Sequence, residues 1–131
     1  MNNNEAKFSG LLGETLISVV KNEDNTEIVF TLENGDRLVQ RHDQDCCERV
    51  EIIDICGDFA DLLNSPVTLA EESTNTHDGP RDSECDDSYT WTFYRLATVK
   101  GYVTIRWYGS SNGYYSERVT CYWEEPVLPR L

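Results

Sequence analysis

Residues 89–108 constrain the fold more than any other stretch. Tyr89 to Thr98 (YTWTFYRLAT) and Tyr102 to Tyr108 (YVTIRWY) are dense in aromatic and β-branched residues, with a turn at Lys100-Gly101 between them. That composition suits a pleated, half-buried surface. In the second run, period-two alternation puts Val103, Ile105 and Trp107 on one face and Tyr102, Thr104, Arg106 and Tyr108 on the other. An isolated hairpin is marginal in water, so further strands must cover its apolar face.

Candidates lie on both sides. Thr15–Lys21, Glu27–Glu33 and Asp36–Arg41 read as a three-stranded meander, turning at residues 22–25 and at Asn34-Gly35, a dipeptide suited to a type I′ turn. Arg49–Cys56 reads as a fourth strand. Asp58 then N-caps a short helix with Phe59, Leu62 and Leu63 as its apolar stripe, ended by Asn64-Ser65-Pro66. Val67–Glu71 suggests another short strand, residues 73–88 a mobile acidic loop, residues 109–113 a tight turn, and Ser116–Trp123 a returning final strand. Residues 1–13 read as a flexible tail ending in one helical turn, and residues 126–131 as a second tail. The expected fold is one α+β domain over residues 14–125, a dominant antiparallel sheet with one or two short helices. A chain of 131 residues suits one such domain.

Charge is distributed unevenly. Of the net −13, residues 42–87 contribute 14 Asp/Glu against two Lys/Arg, whereas residues 88–131 hold three acids, five bases and 11 of the 14 aromatics. So acidic a chain is a poor direct ligand for nucleic acid or anionic membranes, which need a basic counter-surface. It is compatible with a polyanion mimic, a locally basic pocket, or simply a solubilising surface. No apolar run approaches the roughly 18 residues of a membrane span. Without an export signal at residues 1–5 the expected compartment is a reducing cytoplasm, with Cys46, Cys47, Cys56, Cys85 and Cys121 as free thiols.

Three constellations could carry chemistry. Tyr102, Arg106 and Tyr108, with Asn112, Tyr114 and Tyr115 beyond, place a guanidinium and an amide among aromatic rings, the groups that stack a purine and hold a phosphate. The plainer reading is half-buried strand tyrosines. Asp54, Asp58, Asp61, Asp82, Glu84, Asp86 and Asp87 could form an acidic interaction face that imitates DNA phosphates, or an ordinary solvated surface. The corner His42-Asp43-Gln44-Asp45-Cys46-Cys47-Glu48 holds reactive residue types, but not the spacing of a zinc site or a calcium loop. A Cys–His nucleophile there would lack an oxyanion hole. No catalytic residue, metal or cofactor is expected.

Two segments, His42–Asp58 (HDQDCCERVEIIDICGD) and Ser88–Glu117 (SYTWTFYRLATVKGYVTIRWYGSSNGYYSE), resemble the hallmark segments of a small uncharacterised-domain family carried by bacteriophages and prophages. The resemblance implies an accessory protein acting in the host bacterial cytoplasm. By looser analogy with anti-Thoeris sponges, it suggests a non-enzymatic, oligomeric counter-defence protein that sequesters a cyclic ADP-ribose-type signal. The alternative is an acidic DNA mimic that inhibits a host nuclease or CRISPR effector.

Overall fold

The computed structural model describes residues 5–83 and 86–124, so the tail expected at 126–131 lies outside the described residues. Among the described residues, nine strands form two antiparallel sheets. The first has five: β1 (Glu5–Ala6), β2 (Leu16–Lys21), β3 (Glu27–Leu32), β4 (Arg37–Arg41) and β9 (Thr120–Glu124), in the order β1-β9-β4-β3-β2. The second has four: β5 (Arg49–Cys56), β6 (Leu69–Thr76), β7 (Ser88–Thr98) and β8 (Gly101–Ser111), in the order β5-β8-β7-β6. No helix among the described residues is long and apolar enough to cross a membrane.

The predicted alternation along β8 is the frame of the core. Val103, Ile105 and Trp107 are fully buried; β3 answers from the first sheet with Ile28, Phe30 and Leu32, and β4 with Leu38. A polar bond joins the two sheets inside this core. Trp107 Nε1 donates to Gln40 Oε1 at 2.6 Å, which satisfies the indole that buried tryptophan must otherwise leave bare.

The fold is mainly β, and the expected α+β class is corrected. The only helical pieces among the described residues are two 3-10 turns, Phe8–Leu11 and Phe59–Leu62. Asp58 does cap the second, accepting from Ala60 N at 2.9 Å. The turn cannot propagate, because Asn64 adopts a left-handed φ of 64° and Pro66 follows. The first turn is no tail: Phe8 and Leu11 are buried, and Phe8 packs edge-on against Phe30 and Tyr94.

Four boundaries differ for physical reasons. At the β3–β4 turn only Gly35 takes positive φ, and Leu32 N bonds Asp36 O across a three-residue connection, so the two-residue type I′ turn is not formed. β6 runs on to Thr76, because Ser73–Thr76 pair with Phe93–Thr90 on β7. The acidic loop is thus residues 77–87. β8 continues through Gly109 to Ser111, where the turn is expected; at Gly109 a Cβ would lie 2.9 Å from Glu117. Finally, β9 does not return beside β8. It crosses to the first sheet and pairs with both β4 and β1.

Candidate functional site

The outward face of the second sheet carries the aromatic residues that the core does not use. On β7 these are Tyr89, Trp91 and Phe93; on β8 they are Tyr102 and Tyr108, with Arg106 between. Register sets Trp91 opposite Tyr108, Phe93 opposite Arg106, and Asp54 of β5 opposite Arg106 from the other side. Arg106 grips Asp54 with two donors, Nε to Oδ1 at 2.7 Å and Nη2 to Oδ2, and its guanidinium carbon lies 5.6 Å from the Trp91 ring centre. The Arg106 hydrogen bond holds the Asp54 carboxyl below the usual carboxylate range, against the opposing effect of burial. Nη1 has no partner among the described residues.

Residues 77–83 cross over this face as a strap, held by the polar tips of the aromatic side chains. Trp91 Nε1 donates to Pro80 O at 2.7 Å and Tyr89 Oη to Gly79 O at 3.2 Å. Tyr108 Oη accepts from Asp82 N at 2.9 Å and donates to Asp86 Oδ2 at 2.8 Å. Burial, reinforced by that bond to Asp86, pushes the Tyr108 phenol up to about 12, so it stays a donor at neutral pH.

Between strap and sheet is a cleft of about 300 Å³, lined by Ile53, Pro80, Arg81, Asp82, Trp91, Arg106 and Tyr108. Ile53 reaches it because β5 bulges between Ile52 and Asp54, and the extra residue turns outward, 43% exposed. Arg81 is exposed at the rim without an ion pair among the described residues.

Of the six residues expected to bind ligand, the structure brings Arg106 and Tyr108 together here. Tyr102 shares their face but sits four residues from Arg106, about 13 Å at strand spacing. Asn112 lies in a separate hollow with Cys47, Asp86 and Asp87, its side-chain oxygen accepting from Tyr114 N. Tyr114 is 82% exposed, and Tyr115 lines a groove formed by β6, β7 and the link from β8 to β9. Ile53, Pro80, Arg81, Asp82 and Trp91 are the cleft residues that sequence reasoning did not assign to it, and Asp54 stands behind them as the partner of Arg106. The period-two row Tyr89, Trp91, Phe93 is the signal that could have found Trp91.

The acidic residues expected on one face are spread along the whole sheet and largely engaged. Asp54 holds Arg106, Asp58 caps a turn, and Asp61 packs against Gly101 beside the β7–β8 turn. Asp82 ties the strap through its backbone N–H and Asp86 through its carboxylate, while Asp87 lines the hollow near Asn112 at the opposite end. Glu84 and Cys85 lie outside the described residues.

At the 42–48 corner, Cys46 and Cys47 are joined as a vicinal disulfide, where free thiols are expected. Neither then supplies a thiolate, and His42 is already engaged at both ring nitrogens, by Arg118 O and by Glu48 Oε2. Among the described residues no three His, Cys, Asp or Glu side chains converge to hold a metal.

A domain of unknown function, DUF7448, matches residues 9–121. The chain belongs to the DUF7448 family. That match spans both sheets, from the first 3-10 turn to the start of β9, and so contains the whole cleft. No curated protein and no solved structure matches the chain.

Proposed function

We propose that this chain is a non-enzymatic binding protein that captures a small nucleotide-derived molecule in the strap-covered cleft. The observation that carries the reading is the seating of Arg106 between Asp54 and the Trp91 ring. A guanidinium fixed on one edge by a carboxylate and set beside an indole is preorganised, and its remaining Nη1 can donate without ordering the side chain again. Trp91 and Tyr108 supply aromatic walls for a base, and Arg81 a second cation at the rim.

The charge balance narrows the ligand. Asp54 and Asp82 offset Arg106 and Arg81, so the cleft has no surplus positive charge to recruit a polyphosphate. A nucleotide with no terminal phosphate suits it better, and a cyclic ADP-ribose-type signal, whose two bridged phosphates carry one negative charge each, is of that kind. A volume near 300 Å³ is at the small end for ligand sites, which favours partial enclosure of the base and one phosphate over engulfing the whole molecule. A counter-defence role inside an infected bacterium follows from the sequence resemblance, and sequestration without turnover would serve it.

The test is thermal denaturation of the purified protein against cyclic nucleotides and ADP-ribose derivatives. A ligand at about 100 times its dissociation constant adds about 2.7 kcal/mol to stability and raises Tm by several degrees. Heating the loaded protein should release the nucleotide intact, as read by mass spectrometry. Recovery of a hydrolysed product, or a shift that survives Arg106→Ala, would sink the proposal.

A further inference from the structure

The outer strands of the two sheets are guarded unequally. β1 is two residues long, and β2 and β5 are each interrupted by a bulge, after Leu16 and after Ile52. Short or bulged edges pair poorly with another chain. β6 has neither protection. It runs for eight residues without proline or lysine, keeps unbroken register with β7 from Leu69 to Thr76, and is exposed from Glu71 onward.

Backbone alternation defines what that edge offers. His77 N donates to Tyr89 O at 2.8 Å, so the residues in step with it, Ser73 and Asn75, turn their peptide groups toward β7. Those of Glu72, Thr74 and Thr76 point the other way, and no backbone group among the described residues meets them.

The side chains of the same three residues lie on the inward face, where Thr74 and Thr76 line a groove of about 280 Å³ with Glu117 and Arg118. Charge in this region is unbalanced. Arg118 is paired with Glu5. Glu117, only 8% exposed, accepts from the hydroxyls of Thr90 and Ser111, and neither it nor Glu72 has an ion-pair partner among the described residues.

We propose that β6 is the docking edge for an extended segment of a partner protein that carries lysine or arginine at alternate positions. The open peptide groups of Glu72, Thr74 and Thr76 would supply main-chain hydrogen bonds, as in strand addition to other sheets. A basic side chain opposite Glu72 makes a cross-strand ion pair, and one two residues along enters the groove toward Glu117. A second copy of this chain is a poorer occupant. Its β6 would bring another Glu71 and Glu72 to the junction and leave Glu117 unmatched. The edge is separate from the aromatic cleft, which lies on the outward face of the same sheet.

The experiment is amide-resolved hydrogen exchange of the full chain with two synthetic peptides, one alternating lysine with threonine and one alternating glutamate with threonine. The lysine peptide should slow exchange at the amides of Glu72, Thr74 and Thr76, while Ser73 and Asn75, already bonded to β7, change little. The glutamate peptide should protect none of them. Glu72→Gln should weaken the lysine peptide about threefold, the worth of one cross-strand ion pair. Thr74→Pro removes an edge-facing N–H without touching the ladder to β7, and should abolish binding. If that variant does not fold, Glu72→Gln decides alone. The proposal is overturned if the lysine peptide binds without protecting those three amides, which is mere attraction to an acidic surface, or if the glutamate peptide protects them equally. It also fails if Glu72→Gln binds undiminished, or if the three amides are protected in the free chain in a concentration-dependent way, which would give the edge to a second copy.

Discussion

His42 Nε2 lies 2.7 Å from Glu48 Oε2 while His42 Nδ1 lies 2.7 Å from Arg118 O, so one imidazole pins two crossovers between the sheets to each other. Both partners are acceptors, and both bonds form together when the ring carries two protons. Residues 42–48 lead from β4 to β5, and residues 112–119 lead from β8 to β9; each link leaves one sheet for the other.

This arrangement predicts an acid limb to the stability curve. Burial by itself would raise the Glu48 carboxyl, but hydrogen bonds from His42, Asp45 N and Cys46 N outweigh it and hold it at about 2, below its ordinary 4.5. A depressed folded value gives stabilisation that is complete above 4.5 and is lost as pH falls toward 2. Glu48→Gln should lower Tm at pH 6 and flatten its fall between those values, measured by tryptophan fluorescence. An unchanged pH profile would remove Glu48 from the account.

At the cleft, Arg106→Ala should abolish ligand-induced stabilisation while changing the stability of the free protein by less than about 1 kcal/mol. The Arg106–Asp54 pair is more than one-third exposed on both sides, where ion pairs contribute little. Parallel melts with and without nucleotide separate the two effects.

Tyr108→Phe deletes the hydroxyl shared by Asp82 N and Asp86 without removing the ring. The strap should open more often by about 1 kcal/mol, seen as faster amide exchange or proteolysis confined to residues 77–83. Global Tm should move little.

The Trp107–Gln40 bond inside the core should behave as a coupled pair. Trp107→Phe leaves both polar atoms of the Gln40 amide buried and unpaired, a loss of about 2–4 kcal/mol counting the smaller ring. Gln40→Leu in the same chain should restore part of it, and a double-mutant cycle in urea would measure the coupling.

Gly57 has φ 107°, and a Cβ there would sit 2.4 Å from Tyr102 O. Gly57→Ala should therefore cost more than about 2 kcal/mol, because both backbone conformation and space oppose it. Chemical denaturation would show the loss as a lower midpoint with an unchanged slope.

Strands were readable wherever alternation and turn chemistry agreed. Arg49–Cys56 and the inward row Val103, Ile105, Trp107 follow directly from period-two patterning. The polarity of Ser73, Thr74, Asn75 and Thr76 hid the second half of β6, since its strand state depends on pairing with β7 and not on its own residues. The destination of β9 was invisible for the same reason: nothing local in Thr120–Glu124 distinguishes a neighbour on β8 from one on β4. Arg106 and Tyr108 could be nominated as site residues by type. Their association with Trp91, Asp54 and a bulged Ile53 is set by register across three strands, which a linear reading does not contain.

The pairing of Glu5 with Tyr122, and of Gln40 with Cys121, places the last described strand between two of the earliest. While the chain is being synthesised, β2, β3 and β4 can hairpin at once, but the free edge of β4 waits until residues 120–124 emerge. That exposed edge is a template for pairing with another chain. A ribosome stalled before Thr120, or a truncation there, would release a half-finished sheet, and the protein's solubility would then depend on its last few strand residues more than on its abundant surface acids.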